Sequence, residues 1–497
     1  MQGTLVELRS GELQGESDGV VRSWKGIPYA AAQRFAMPGP PAAWQGVRNA
    51  AHYGPVAPQP EDGLIAQITK RRPGPQSEDC LSLNVWSPAE DGPLRPVMVF
   101  IHGGAYVGGE GSAPWYDGRA FAAGGDLVVV TFNYRLGALG FLHLAELFGP
   151  EFAQSGSLGI LDQIAALRWV RENIAAFGGD PEQVTVFGES AGAGSIGVLL
   201  CAPQARGLFR RAILQSGSGR LLLQPPQRAG IVAQRVLELC GVAPGDLAAL
   251  RAVPAKAFVD AGAEEGGLPF GPVLGTSVVP QDPLVALGAG AARGIAILTG
   301  VNRDEFRLFT LGDAAWFSED EQVLRERIKR FARDLPEEIV RFYLEREPGA
   351  TLNDRLVPLL TYFLFVRGML ATADAQSGSG ASVWAYRFDW PAPAFGGRLG
   401  ACHALEIPFV FRNLSVPGTD VVTGSGPEAE RLAAAMQGAW IAFAKGADPN
   451  HPGLPHWPGY DTAQRAVMTF GPKMQVLYDP WASEREAWSQ AYGSGVL

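Results

Sequence analysis

The segment Val184-Thr185-Val186-Phe187-Gly188-Glu189-Ser190-Ala191-Gly192-Ala193-Gly194-Ser195 restricts the fold of this chain more than any other. Its first four residues, β-branched and aromatic, predict a short buried strand. The small residues that lead into Ile196-Gly197-Val198-Leu199-Leu200 predict a helix. Gly188-x-Ser190-x-Gly192 therefore falls on a strand-to-helix turn. A turn that sharp strains its central residue and brings two chain directions together, so the positions two before and two after the serine hold little beyond hydrogen. The hydroxyl of Ser190 stands at the tip, beside the free N–H groups of a helix start, which suit a negative charge developing on a carbonyl oxygen.

The same pattern occurs a second time, at Gly15-Glu16-Ser17-Asp18-Gly19. That copy lies between the alternating runs Thr4 to Leu8 and Val20 to Trp24, with no helical segment after it, and it reads as a hairpin turn. Ser17 is accordingly set aside as a nucleophile.

Read in order, residues 1 to 30 suggest a small β-ribbon, and a Pro- and Gly-rich loop from about 37 to 75 is long enough to wall or cover a pocket. Glu78 to Trp86 resumes strand-like alternation. Pro96 to His102 is a continuous apolar run, as expected of a central strand covered on both faces. It ends in His102-Gly103-Gly104-Ala105-Tyr106-Val107-Gly108-Gly109, whose glycines let the backbone turn N–H groups toward a ligand; the Lys-Ser/Thr that closes a phosphate-binding loop is missing. Leu127 to Asn133 predicts another buried strand, and Leu158 to Phe177 an amphipathic helix stopped by Gly178-Gly179-Asp180-Pro181. Further strands are expected at 211–216, 294–300 and 382–388, with helices between 225 and 290, from 318 to 378, and from Glu428 to Ala444. This rhythm predicts an α/β fold: a large, mostly parallel central sheet with helices on both faces.

The length of 497 residues fits one such core with loop and helix insertions over the site, taken as a single domain spanning 1–497. The net charge of −9, with no basic run, argues against nucleic acid or an anionic membrane as a partner. No signal-like leader and no uninterrupted apolar stretch of about 18 residues is found, so the expectation is a soluble cytoplasmic protein. Cys80, Cys201, Cys240 and Cys402 form no CxxC pair, which suggests free thiols and no zinc site.

A serine nucleophile needs a base, and the base needs a carboxylate to fix its tautomer and offset its charge. In the order that accompanies a nucleophile turn, serine, acid, then histidine, the six histidines reduce to His403, His451 and His456. His451 and His456 lie in a proline-rich, surface-like segment, whereas His403 follows small residues and precedes an apolar run, and it is the candidate base. For the acid, Asp304 and Glu305 follow a strand directly; being adjacent, only one can point inward, and spacing does not choose between them.

Motifs along nearly the whole chain resemble those of the type-B carboxylesterases of the α/β-hydrolase fold, a family that includes bacterial para-nitrobenzyl esterases and cholinesterases. They are Gly26-Ile27-Pro28-Tyr29-Ala30, Glu78-Asp79-Cys80-Leu81, Phe132-Asn133-Tyr134-Arg135-Leu136, Asp162-Gln163, Phe177-Gly178-Gly179-Asp180-Pro181 and Phe187-Gly188-Glu189-Ser190-Ala191-Gly192. The resemblance implies Ser190 as nucleophile, Glu305 as the acid and His403 as the base. It also implies oxyanion donors at the N–H groups of Gly104, Ala105 and Ala191, with Glu189 and Ser216 as supporting polar residues. No metal and no cofactor is implied. The chain departs from the family pattern at Phe306, Ala404 and Ala105, where glycine is usual, and no cysteine precedes Cys80 to pair with it. A cytosolic bacterial type fits this better than a secreted cholinesterase, and the 37–75 loop holds no clear match to an aromatic seat for choline.

The function expected is hydrolysis of a small-molecule carboxylic ester through an acyl-enzyme, by a monomer. An amidase or lipase on the same triad is the alternative within enzymes. The alternative outside them is a non-catalytic binding protein of the kind this family also contains.

Overall fold

Alternation along a strand supplies two different cores here. Val97, Val99 and Ile101 pack into one apolar cluster with Ile160, Ile164, Leu167 and Val236, while the intervening Met98 and Phe100 pack into another with Leu432, Met436, Trp440 and Phe443. Successive strand residues point to opposite faces, so a strand apolar at every position demands helices on both sides. The computed structural model describes residues 3–61 and 72–493.

The strands are β1 (Leu5–Leu8), β2 (Gly11–Gln14), β3 (Glu16–Ser17), β4 (Val21–Pro28), β5 (Val47–Asn49), β6 (Ser82–Pro88), β7 (Arg95–Ile101), β8 (Val128–Phe132), β9 (Gly179–Glu189), β10 (Arg211–Gln215), β11 (Ala296–Asn302), β12 (Val383–Phe388), β13 (Ala466–Phe470) and β14 (Gln475–Tyr478). Among the described residues, eleven form one sheet in the order β14-β13-β12-β11-β10-β9-β7-β8-β6-β4-β3. Pairing is parallel from β8 through β7 to β13 and antiparallel at both margins. From β7 the chain passes to β8 on one side and later to β9 on the other. That reversal opens a crevice at the carboxyl ends of β7 and β9, where open α/β sheets hold ligands.

The α/β-hydrolase expectation, a large and mostly parallel sheet between helices, agrees with this architecture. Details differ. The first 30 residues divide between two sheets, with β1 and β2 joining β5 and only β3 and β4 joining the large one. Ser17 belongs to β3, so the hairpin turn begins only at Asp18, three residues into the Gly15–Gly19 stretch that the sequence pattern reads as a turn. Strand β6 is buried at every position rather than on alternate ones, because helix Arg119–Gly125 packs against it and the other face meets the core. Strands β13 and β14 and helix Ala482–Tyr492 occupy segments for which the sequence predicts no element. The helical run Leu352–Gly378 is long and apolar enough to cross a membrane, and 67% of its most apolar window is buried inside the fold. Of the 37–75 loop, residues 62–71 lie outside the described residues.

Candidate active site

Ser190 sits between β9 and helix Ala191–Leu199 with φ 55° and ψ −121°. A non-glycine residue in such geometry costs of order 1–3 kcal/mol, and it persists only where the surroundings enforce it. They do so here through the flanking glycines. A Cβ on Gly192 would lie 2.0 Å from Ile101 O, and one on Gly188 would lie 2.6 Å from the same carbonyl. The turn is thus pressed against the end of β7. Ser190 N donates to Gln215 O at 2.9 Å on β10, and Gly194 N donates to Ser190 O at 2.8 Å.

The glycine loop after β7 is held against this turn. A Cβ on Gly103 would come within 3.0 Å of Ser190 Cβ and 2.7 Å of Glu189 O. Gly104 has φ 111°, and a Cβ there would lie 2.2 Å from Gly108 O, so the loop can close on itself only with glycine at that position. Ala105 follows with φ 55°. Among the described residues, neither Gly104 N nor Ala105 N donates a hydrogen bond within the fold, which leaves both available to an external oxygen. Ala191 N opens the helix that follows the Ser190 turn. His102, just before this loop, is buried with Nδ1 2.9 Å from Gly103 O and its ring stacked on Tyr134, and burial holds it down at about 4.

Asp304 and Glu305, indistinguishable by spacing, point to different partners. Glu305 is fully buried; its Oε1 accepts from Asn302 N at 2.7 Å, and its Oε2 lies 2.6 Å from His403 Nδ1. Asp304 instead accepts from Arg303 Nη2 at 2.9 Å and from Ala401 N at 2.8 Å. His403 is buried between the rings of Phe309 and Phe365, at centroid distances of 5.2 and 4.8 Å. Its other nitrogen, Nε2, lies 3.0 Å from Glu189 Oε1. His451 is engaged elsewhere, with Nε2 2.9 Å from Ala435 O, and His456 is exposed.

The imidazole therefore stands between two carboxylates. Burial opposes charge on the ring, but Glu189, Glu305 and, at longer range, Glu406 outweigh it and push His403 up to about 9. Burial pushes Glu189 up to about 8, against the pull of His403 and with the repulsion of Glu406 and Glu305. The pair titrates as a coupled unit; the direction that holds for it is that the ring retains its proton well above an ordinary histidine.

Glu406 is a residue that sequence reasoning missed. It is fully buried, accepting from Gln215 Nε2 at 3.0 Å and Asn302 Nδ2 at 2.6 Å, while Gln215 Oε1 accepts from Trp440 Nε1 at 3.0 Å. One signal was present: a lone charge inside the apolar run Ala404-Leu405-Glu406-Ile407-Pro408-Phe409. Phe309 and Phe365 carried no signal at all, since aromatic residues in helical segments are ordinary core. Ser216 lies buried at the end of β10 with φ 54°, and a Cβ on the next residue, Gly217, would be 2.6 Å from Ser190 O.

The three departures from the family pattern now have backbone conformations. Ala105 and Ala404 both adopt positive φ, at 55° and 65°, where glycine is unstrained and alanine is the smallest residue that tolerates the geometry. Phe306 needs no such freedom; its ring packs on Trp316 and Phe331, and its N–H donates to Thr361 Oγ1 at 3.1 Å. All four cysteines are free thiols. Among the described residues, no group of three His, Cys, Asp or Glu side chains is placed to hold a metal ion. An apolar cavity lined by Val107, Leu139, Phe258 and Phe270 opens beside the glycine loop, without Ser190 or His403 in its walls.

Known proteins resemble this chain over nearly its whole length. The model of the carboxylesterase family matches residues 2–488. The chain is 39% identical to the para-nitrobenzyl esterase of Bacillus subtilis over 98% of both chains. It is 35% identical to the phenmedipham hydrolase of Pseudarthrobacter oxydans over 94% of this chain and 95% of that protein. The crystal structure of a Geobacillus stearothermophilus carboxylesterase at pH 6.2 superposes with a TM-score of 0.90 at 50% identity, covering 98% of this chain and 100% of the other.

Proposed function

We propose, for a chain that belongs to the carboxylesterase family and hydrolyses carboxylic esters, that Ser190 is the nucleophile, His403 the general base and Glu305 the acid that orients it. Ser190 Oγ attacks the ester carbonyl as His403 Nε2 takes its proton. The N–H groups of Gly104, Ala105 and Ala191 receive the developing oxyanion, and His403 returns the proton to the departing alcohol. Water then repeats the sequence on the acyl-enzyme. Glu305, holding Nδ1, favours the tautomer with Nε2 free to accept and offsets the charge gained. Glu189, beside Nε2, favours the imidazolium further, and Ser216 supports the turn.

The observation that carries the assignment is the 2.6 Å contact of a fully buried Glu305 with His403 Nδ1, in a fold whose strained Ser190 faces the glycine loop. The same reading takes 1–497 as one catalytic domain, a cytoplasmic monomer that needs neither membrane nor nucleic acid; the acidic charge and four free thiols support it. A fluorophosphonate probe is expected to label the protein once, at Ser190, and a panel of p-nitrophenyl esters of rising acyl length to be cleaved. Activity confined to an amide or to an emulsified triglyceride, with the simple esters untouched, overturns the substrate class in favour of an amidase or a lipase.

A further inference from the structure

We propose that Asp304 is a positioning residue for the base: with Arg303 and Arg307 it clips the loop that carries His403 to the turn that carries Glu305. The proposal rests on the reading of His403 and Glu305 as base and acid.

Two hydrogen bonds tie one residue to another across this junction. Asp304 N donates to Ala401 O at 2.9 Å, and Ala401 N donates back to Asp304 Oδ2 at 2.8 Å, two residues before His403. A third bond, His403 N to Glu305 O at 3.3 Å, continues the seam. The carboxylate is only 17% exposed and does not float between its partners. Arg303 approaches Oδ2 through Nε at 3.0 Å and Nη2 at 2.9 Å, and Arg307 Nε stands 3.7 Å from Oδ1. Arg307 also reaches the same loop upstream, donating to Arg398 O at 3.1 Å, and it is itself held by Asp354 Oδ1 at 2.8 Å. Besides the backbone bonds, side chains hold the loop at 398 through the Arg307 guanidinium, at 401 through the Asp304 carboxylate, and at 402 through Asn302 Nδ2, which donates to Cys402 O at 2.7 Å.

The loop depends on this pinning because of its composition. Gly400 and Ala401 carry no side chain able to hold a polar anchor, and Gly400 has φ 55° with its Cα packed on the carboxylate, so that a Cβ there would lie 2.3 Å from Asp304 Oδ2. Glycine at 400 and aspartate at 304 are two halves of one contact. A displacement of about 1 Å in a catalytic group can cost about 10²-fold in rate, so the clip acts on turnover through geometry rather than through ion-pair energy.

The test uses Asp304→Ala, Asp304→Asn and Gly400→Ala in the full chain, with kcat per serine titrated by the fluorophosphonate, KM and the pH profile of kcat/KM. Asp304→Ala is expected to lower kcat per titrated site by about 10- to 100-fold with KM within about threefold. Asp304→Asn, whose amide oxygen still accepts from Ala401 N, is expected to retain more than about a fifth of it. His403 is faced by Glu305 at Nδ1, Glu189 at Nε2, Glu406 beyond, and the uncharged rings of Phe309 and Phe365. Slackening the loop weakens the Glu305 contact and so the hold on the ring's proton. The acid limb should then move to lower pH by about half a unit or more in Asp304→Ala and in Gly400→Ala.

A purely structural role would lower the titratable fraction and leave both kcat per site and the limb where they were. That result in Asp304→Ala, alongside an inactive Glu305→Gln, overturns the clip and leaves the triad standing. Where Asp304→Ala fails to fold, the limb in Gly400→Ala decides, and an unmoved limb there overturns the clip as well. Full activity in Glu305→Gln and His403→Ala instead overturns the triad assignment, and the clip with it.

Discussion

Gly15-Glu16-Ser17-Asp18-Gly19 and Gly188-Glu189-Ser190-Ala191-Gly192 share four of five residues but occupy different settings. The first runs along β3 at the margin of the sheet, where Ser17 is exposed and Asp18 Oδ1 caps a turn by accepting from Val20 N at 2.9 Å and Val21 N at 2.8 Å. Gly19 takes φ 85° with no atom within 4 Å of where its Cβ would stand. The second crosses the crevice between β7 and β9, where both outer glycines meet the carbonyl of Ile101 and the serine is held at φ 55°. The motif is therefore not the site. A helix after it and a strand end pressed against it convert the same residues from a turn into a strained, presented hydroxyl.

Exchanging effects between the two copies would break this contrast. Ser190→Ala is expected to lower kcat by about 10⁴-fold or more with the melting temperature nearly unchanged, and Ser17→Ala to leave kcat as it is. Inactivation by Ser17→Ala alone would invert the assignment. Next in size is Glu305→Gln, expected to reduce kcat on the order of 10³-fold, because an amide at Nδ1 cannot offset the imidazolium charge. Retained turnover in that variant would move the acid's role to another carboxylate, with Glu189 the one in contact.

The glycines sharpen the contrast through stability rather than rate. Gly192→Ala places a methyl 2.0 Å from a backbone oxygen, so denaturant unfolding should show a loss of more than about 3 kcal/mol, or no folded protein. Gly19→Ala meets open space and bears only the left-handed penalty of about 1 kcal/mol. Equal losses would remove the claim that close approach distinguishes the glycine two residues after each serine.

A smaller effect lies in the pH profile. With His403 as the proposed base, hydrolysis needs the neutral ring; the facing carboxylates push it up, so activity is expected to fall as pH drops through that raised value. Glu189→Gln removes one of those charges and should move the acid limb of kcat/KM to lower pH. A limb that stays in place would mean that Glu189 does not face the ring in the working enzyme. The smallest effect is expected of Ala105→Gly, which should keep kcat within about threefold, since only the N–H is needed, and gain up to about 1 kcal/mol by relieving φ 55°. Proline, which would delete that N–H, cannot adopt positive φ, and Ala105→Pro would disrupt the loop instead of isolating one donor.

Where the sequence was readable, the reason was local. The apolar runs that became β7, β8 and β9 leave a backbone little alternative to a doubly covered sheet, and Gly188-x-Ser190-x-Gly192 followed by a helix-forming segment marks its own turn. Alternation failed at β6, because which faces are covered depends on the helix Arg119–Gly125, whose packing against it is not written in residues 82–88.

Taken alone, then, the sequence determined the α/β class, the strand-to-helix turn at Ser190 and the glycine loop, and it favoured His403 by order and by the poor setting of its rivals. It left Asp304 and Glu305 equivalent, since adjacent acidic residues after a strand have the same local chemistry. Only the tertiary structure separated them, by setting His403 Nδ1 against Glu305 and Ala401 against Asp304, and only it brought Glu189 to Nε2 and buried Glu406 behind them. These contacts join segments roughly a hundred or more residues apart, and no periodicity or propensity carries information over that distance. Burial turns such meetings into chemistry: out of water, a carboxylate beside an imidazole decides where a proton rests.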